Sequence, residues 1–186
     1  PCLLLFGCLQ AYVFLEKRFS VSEKLTGPSI GGNFNLVNTN GNFVRASDYR
    51  DRLMLVYFGF TNCPDICPTD LQAMSDVLDA LGEDEKEIWP IFITLDPQRD
   101  TTKRMKDYLS NFHPNIQGLT GEPEYVEKAA KMYKIYASKV PMGEPGDYMI
   151  NHSGYTYLMG RNGQYITHFN HGQPVDEMVK AIKEAL

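Results

Sequence analysis

The chain has 186 residues and a mass of 21.1 kDa, enough to bury the core of one domain. Lys and Arg total 18 against 23 for Asp and Glu; the resulting charge of −5 and pI of about 5.4 have the wrong sign for neutralising phosphates, so nucleic acid is set aside as a partner. With 43% hydrophobic and only 22% charged residues, the composition excludes a disordered or fibrous chain.

In chain order, residues 2–15 are apolar except for Gln10, and the run stops at Glu16-Lys17-Arg18. The run is shorter than the about 20 residues that cross a bilayer. Because the chain opens on Pro1, residues 1–15 are read as a truncated membrane anchor. A secretory signal core, a lipoprotein signal around Leu5-Phe6-Gly7-Cys8 and a buried helix are the competing readings. Lys17 and Arg18 argue mildly against translocation of that end. Residues 16–32, with Pro28 and Gly31-Gly32, read as a linker, and the domain is expected over 33–186.

Within the domain, Phe34, Leu36, Phe43 and Val44 flank the turn formers Asn38-Thr39-Asn40-Gly41, a hairpin signal. Leu53 to Phe58 is an unbroken apolar run of strand length, expected at the centre of a sheet. Leu71, Met74, Leu78 and Leu81 repeat at helical spacing, with Pro68 placed to start the helix and Gly82 to stop it. A second buried strand is expected over Ile88 to Leu95, then an amphipathic helix from about Asp100-Thr101 through Phe112. A short strand at 116–119 and a helix from Pro123 to about Tyr136 follow. Tyr155 to Met159 and Tyr165 to Phe169 bracket Gly160-Arg161-Asn162-Gly163 as a hairpin, and Val175, Met178, Val179, Ile182 and Leu186 stripe a terminal helix. Strands alternating with helices, closed by a hairpin and helix, predict an α/β fold with a mixed sheet.

Chemistry concentrates between the first buried strand and its helix, at Gly59-Phe60-Thr61-Asn62-Cys63-Pro64-Asp65-Ile66-Cys67-Pro68. In an open α/β sheet this edge gathers ligands. Two cysteines four apart at a helix start can turn both sulfurs to one side, and the helix N-terminus favours the thiolate, which is both the nucleophile and the metal-binding form. A structural disulfide or a pair of inert core thiols is the bland alternative. Cys2 and Cys8 sit in apolar sequence and carry no such signal.

Four ordered motifs resemble the Sco/SenC family of cytochrome c oxidase assembly proteins. They are the cysteine turn just quoted, Thr94-Leu95-Asp96-Pro97-x-Arg99-Asp100-Thr101, Gly118-Leu119-Thr120-Gly121, and Tyr148-x-x-x-His152-Ser153-x-x-x-Tyr157-Leu158. The resemblance covers about residues 28 to 186. It implies a thioredoxin-like fold, a membrane anchor, and copper ligands at Cys63, Cys67 and His152. It further implies delivery to the copper-site subunit of cytochrome c oxidase, with a copper donor protein or a thiol reductant as other partners. The domain would face a bacterial periplasm or, alternatively, the mitochondrial intermembrane space. The family commonly has Asp immediately before the histidine, where this chain has Asn151.

The ligand chemistry agrees: soft thiolates select Cu(I), imidazole suits both oxidation states, and three ligands leave a position open to a partner. Zinc remains a chemical alternative for an open Cys₂His set. The competing function is thiol-disulfide exchange by a redox-active Cys63–Cys67 pair, although reductases of this fold usually space their cysteines by two residues. A peroxidase reading lacks support, since Thr61 lies two residues before Cys63 and not three. His168 and His171 have ligand-like spacing but follow a strand into a turn. His113 reads as a helix-end or surface residue, Met142 and Met149 as packing residues, and Asp96, Arg99 and Asp100 as caps of the next helix with a secondary part in shaping the site.

Overall fold

The computed structural model describes residues 30–143 and 146–186. A hairpin, β1 (Asn35–Asn38) and β2 (Phe43–Arg45), precedes the central strand β3 (Leu53–Gly59). Then come α1 (Ile66–Leu81), β4 (Ile88–Thr94), α2 (Thr102–Leu109), β5 (Gln117–Thr120) and α3 (Pro123–Met132). A second hairpin, β6 (Ala137–Pro141) and β7 (Tyr148–His152), leads to a third, β8 (Tyr155–Met159) and β9 (Tyr165–Asn170), and α4 (Val175–Ala185) ends the chain. Seven strands form one sheet in the order β2-β1-β5-β4-β3-β8-β9, and β6-β7 make a separate two-stranded sheet. The pairs β3–β4 and β4–β5 are parallel, while β3–β8 and β8–β9 are antiparallel. This parallel βαβ unit joined to an antiparallel hairpin is thioredoxin-like, as the resemblance implied.

All seven residues of β3 are buried, which its uninterrupted apolar run requires. Alternate side chains serve opposite cores, because successive Cβ atoms point to opposite faces. Leu53, Leu55 and Tyr57 pack with Leu71, Met74 and Leu78 of α1 and with Met178 and Ile182 of α4. Met54, Val56 and Phe58 pack with Val126, Ala129 and Tyr133 and with Phe34 and Leu36 of the first hairpin. Burial is worth about 1.5–3 kcal/mol for each such side chain, so the centre of the sheet is the rigid frame on which the loops are mounted.

The structure departs from the sequence reading at the ends and caps of helices, α2 for one stopping at Leu109 and not at Phe112, and in one unforeseen hairpin. α1 begins at Ile66, two residues before Pro68. α2 is capped by Thr101, whose Oγ1 accepts the Arg104 N–H at 3.2 Å; neither Asp96 nor Asp100 caps it. α3 stops at Met132 and not near Tyr136, because Lys134 is left-handed (φ 58°) and the Ile135 N–H returns to the Ala130 carbonyl at 2.9 Å. The β6–β7 hairpin fills a stretch to which the sequence assigned no element. No described helix is long and apolar enough to cross a membrane, and the expected anchor over residues 1–15, with Cys2 and Cys8, lies outside the described residues.

Candidate metal centre

β3 delivers the chain to the carboxyl edge of the sheet, where Phe60 to Asp65 turn it into α1. Gly59 makes the close approach possible: a Cβ there would lie 2.8 Å from Cys67 Sγ and 3.0 Å from the rings of Tyr57 and Phe92. The turn closes with the Cys63 N–H donating to the Phe60 carbonyl at 3.2 Å. Cys67, in the first turn of α1, then donates its backbone N–H to Cys63 Sγ at 3.4 Å. One of the orphan amides of the helix start is thus satisfied by sulfur, an arrangement that favours negative charge on that sulfur.

Both cysteines are free thiols, and their environments differ. Cys67 is fully buried and Cys63 half-buried. The Cys67 thiol beside it, reinforced by the backbone amides of Asp65 and Cys67, holds Cys63 far below the ordinary thiol range. The same pairing, together with burial, pushes Cys67 well above it. Of the two, Cys63 is thus the more readily ionised and Cys67 the one that holds its proton more tightly.

His152, at the end of β7, brings Nε2 within 3.6 Å of Cys67 Sγ across 85 residues of sequence. Its Nδ1 lies 3.0 Å from the Ser153 carbonyl oxygen. A carbonyl only accepts, so Nδ1 carries a hydrogen, and in the neutral ring Nε2 presents its lone pair to the sulfurs. The buried rings of Phe60 and Tyr57 meet the imidazole edge-on at centroid distances of 5.9 and 6.4 Å. Two sulfurs and one nitrogen so disposed suit a soft, low-coordinate cation, with the Cys63 side left open. Among the described residues no ready-made cage of three or more His, Cys, Asp or Glu donors stands out. The three candidates meet instead as two pairs that share Cys67.

The other sequence candidates fall elsewhere. His168 hydrogen-bonds the Tyr165 hydroxyl through Nδ1 at 2.6 Å, and His171 Nδ1 meets the Asp70 carboxylate at 2.7 Å. His113 pairs with Glu85 at 3.2 Å and, more distantly, with Asp79. Met149 packs on the core and Met142 is exposed. Asn151 is exposed and alternates with the buried Ile150, so it points away from His152's face and leaves the Ser153 contact untouched. Asp96 and Asp100, read as helix caps, are instead fully buried carboxylates lying between the cysteine turn and β7. The spacing of two acids around Arg99 was the available signal, and helix capping had absorbed it.

The sequence matches the SCO1/SenC family over residues 22–186. A SCO2-like protein of Rickettsia conorii is 40% identical over 190 residues, covering 97% of this chain and 92% of that protein. The structure of Bradyrhizobium japonicum ScoI with copper bound aligns with a TM-score of 0.80 and 41% identity over 85% of this chain and 100% of that one. BsSco, described as a member of the Sco family of cytochrome c oxidase assembly proteins with a disulfide switch, aligns with a TM-score of 0.67 and 26% identity over 84% and 94%. On the extent of the family match and of these alignments, the chain belongs to the SCO1/SenC family.

Proposed function

We propose that this protein is a copper metallochaperone that holds one copper ion through Cys63, Cys67 and His152 and delivers it to the copper-site subunit of cytochrome c oxidase. The observation that carries the reading is the convergence of His152 Nε2 on Cys67 Sγ at 3.6 Å, with Cys63 Sγ held 3.4 Å from the Cys67 amide. The family match and the copper-bound relative support it. Cys63, more readily ionised and half-exposed, meets the incoming ion first. Cys67 follows by releasing its proton, so loading is coupled to pH. His152 turns Nε2 toward the sulfurs, its Nδ1 side being taken by the Ser153 carbonyl. Oxidation of the pair to a disulfide removes both thiolates, so only the dithiol form accepts copper.

The reductase alternative uses the same cysteines but has no use for His152. The test is His152→Ala in cells that carry it as their only copy. Loss of cytochrome c oxidase activity, with model-disulfide reduction retained by the purified protein, is expected; normal oxidase activity would refute copper delivery through this histidine. Metal analysis of the reduced protein under competition between copper and zinc separates the two cations. Attachment through residues 1–15, with the domain in a bacterial periplasm, belongs to the same proposal.

A further inference from the structure

The β6–β7 hairpin shares no backbone ladder with the main sheet and stands over a cleft of about 290 Å³ lined by Leu95, Ile135 and Ile150. A two-stranded sheet alone is at best marginally stable in water. What places His152 against Cys67 is therefore a question the sheet does not answer.

The loop after β4 does. Asp100, fully buried, accepts the Thr61 N–H at 3.0 Å and the Thr94 hydroxyl at 2.6 Å on Oδ2, and the Thr61 hydroxyl at 2.5 Å on Oδ1. Arg104 completes this clamp by donating from Nε to Thr61 Oγ1 at 2.8 Å and from Nη2 to Asn62 Oδ1, the residue before Cys63. Four residues earlier, the equally buried Asp96 accepts the Tyr148 hydroxyl at 2.6 Å and the Arg99 guanidinium. Arg99 in turn donates to the Tyr148 carbonyl at 3.0 Å and lies 3.8 Å from the centre of its ring. Lys139 of β6 reaches the same loop at Gln98 Oε1, 2.7 Å away. Thr94 ties the halves together, accepting the Asp96 N–H at 2.9 Å while donating to Asp100.

Taking Cys63, Cys67 and His152 as the metal centre, we propose that the Asp96–Asp100 loop is one bracket whose two buried carboxylates position its two halves separately. Asp100 holds the cysteine turn, and Asp96, through Arg99 and Tyr148, holds the root of the histidine strand. Tyr148 stands four residues, about 13 Å of extended chain, before His152 and on the same strand face. Both acids are positioning residues and neither touches the ion. A carboxylate is required at position 100 because three donors point at it; an amide there would turn its NH₂ on one of them.

Asp100→Asn and Tyr148→Phe test the two arms separately. Asp100→Asn is expected to lower Cu(I) affinity about tenfold or more and to change the alkylation rate of Cys63 in the metal-free protein. Tyr148→Phe, which removes one hydroxyl and little volume, is expected to act mainly on Cu(II). It should shift the Cu(II) absorption and electron paramagnetic resonance spectra, and move the His152 imidazole resonances of the metal-free protein. If Asp100→Asn does not fold, Thr61→Val probes the same arm. The bracket is overturned if both variants melt lower yet keep native spectra and alkylation rates, or if they perturb Cu(I) and Cu(II) in the same ratio. Failure of the copper reading itself looks different: Cys63→Ser and His152→Ala would leave copper binding intact, while the two metal-free readouts would still decide on the bracket.

Discussion

The cysteine turn and the histidine hairpin reach the same few cubic ångströms by opposite means. The turn is mounted between the most buried strand and the start of a 16-residue helix, and its backbone is pinned on both sides. The hairpin has its own two-stranded sheet, exposed side chains along β6 and a cleft beneath it. On the proposed reading, the contrast teaches that a soft-metal site can be built from one half set in the main sheet, which defines the sulfurs, and one half held only through side chains, which brings the nitrogen.

The sharpest way to break this comparison is to remove the sulfur half. Cys63→Ser or Cys67→Ser should abolish tight Cu(I) binding in a competition assay with a chromophoric chelator, since neither half retains a chelating pair. Next in size is His152→Ala, which should remove Cu(II) binding while costing Cu(I) less, because two thiolates alone can hold Cu(I) linearly. Spectra and affinities in the two oxidation states measure this, and equal losses would erase the distinction between the halves. Gly59→Ala attacks the mounting rather than a ligand. Its Cβ would press on Cys67 Sγ at 2.8 Å, so a loss of about 1–3 kcal/mol in denaturant unfolding, with weakened Cu(I) binding, is expected.

A milder probe uses pH. Because Cys63 is held far below the ordinary value of 9.0, its alkylation rate should stay flat from about pH 9 to about pH 6, where a free thiol slows about tenfold per unit. The unfolded chain binds a proton on Cys63 that the folded chain does not, so this group adds stability as pH rises toward 9.0 and loses it as pH falls through the folded value. Cys67 acts in the opposite sense, and only once pH exceeds the ordinary thiol value. The smallest expected effect is that of Asn151→Asp. On the strand face away from His152, it should change stability by no more than about 0.5 kcal/mol and leave the Cu(II) spectrum in place.

The same division governs what could be read from sequence. β3 and β4 announce themselves because burial on both faces forces continuous apolar runs, and α2 and α4 because one buried stripe forces a helical period. The cysteine turn inherits its legibility from these neighbours. The second hairpin gives no such signal: Ala137, Lys139, Val140 and Pro141 are exposed, so no face alternation marks β6. The end of α3 was missed for a related reason. Tyr133 and Ile135 are both buried, which continues the helical pattern past a left-handed Lys134 where glycine is the usual signal. Asp96 and Asp100 were visible as residues but not in their roles, since capping is a local property and their partners Thr61 and Tyr148 are 39 and 52 residues distant.

The inequality of the two sulfurs carries a consequence for traffic. With Cys67 sealed behind Gly59, Tyr57 and Phe92, the site is open to solvent only at its two partly exposed members, Cys63 and His152. On the proposed copper-carrier reading, entry and exit of copper share this one face, so donor and recipient are rivals for it and take turns.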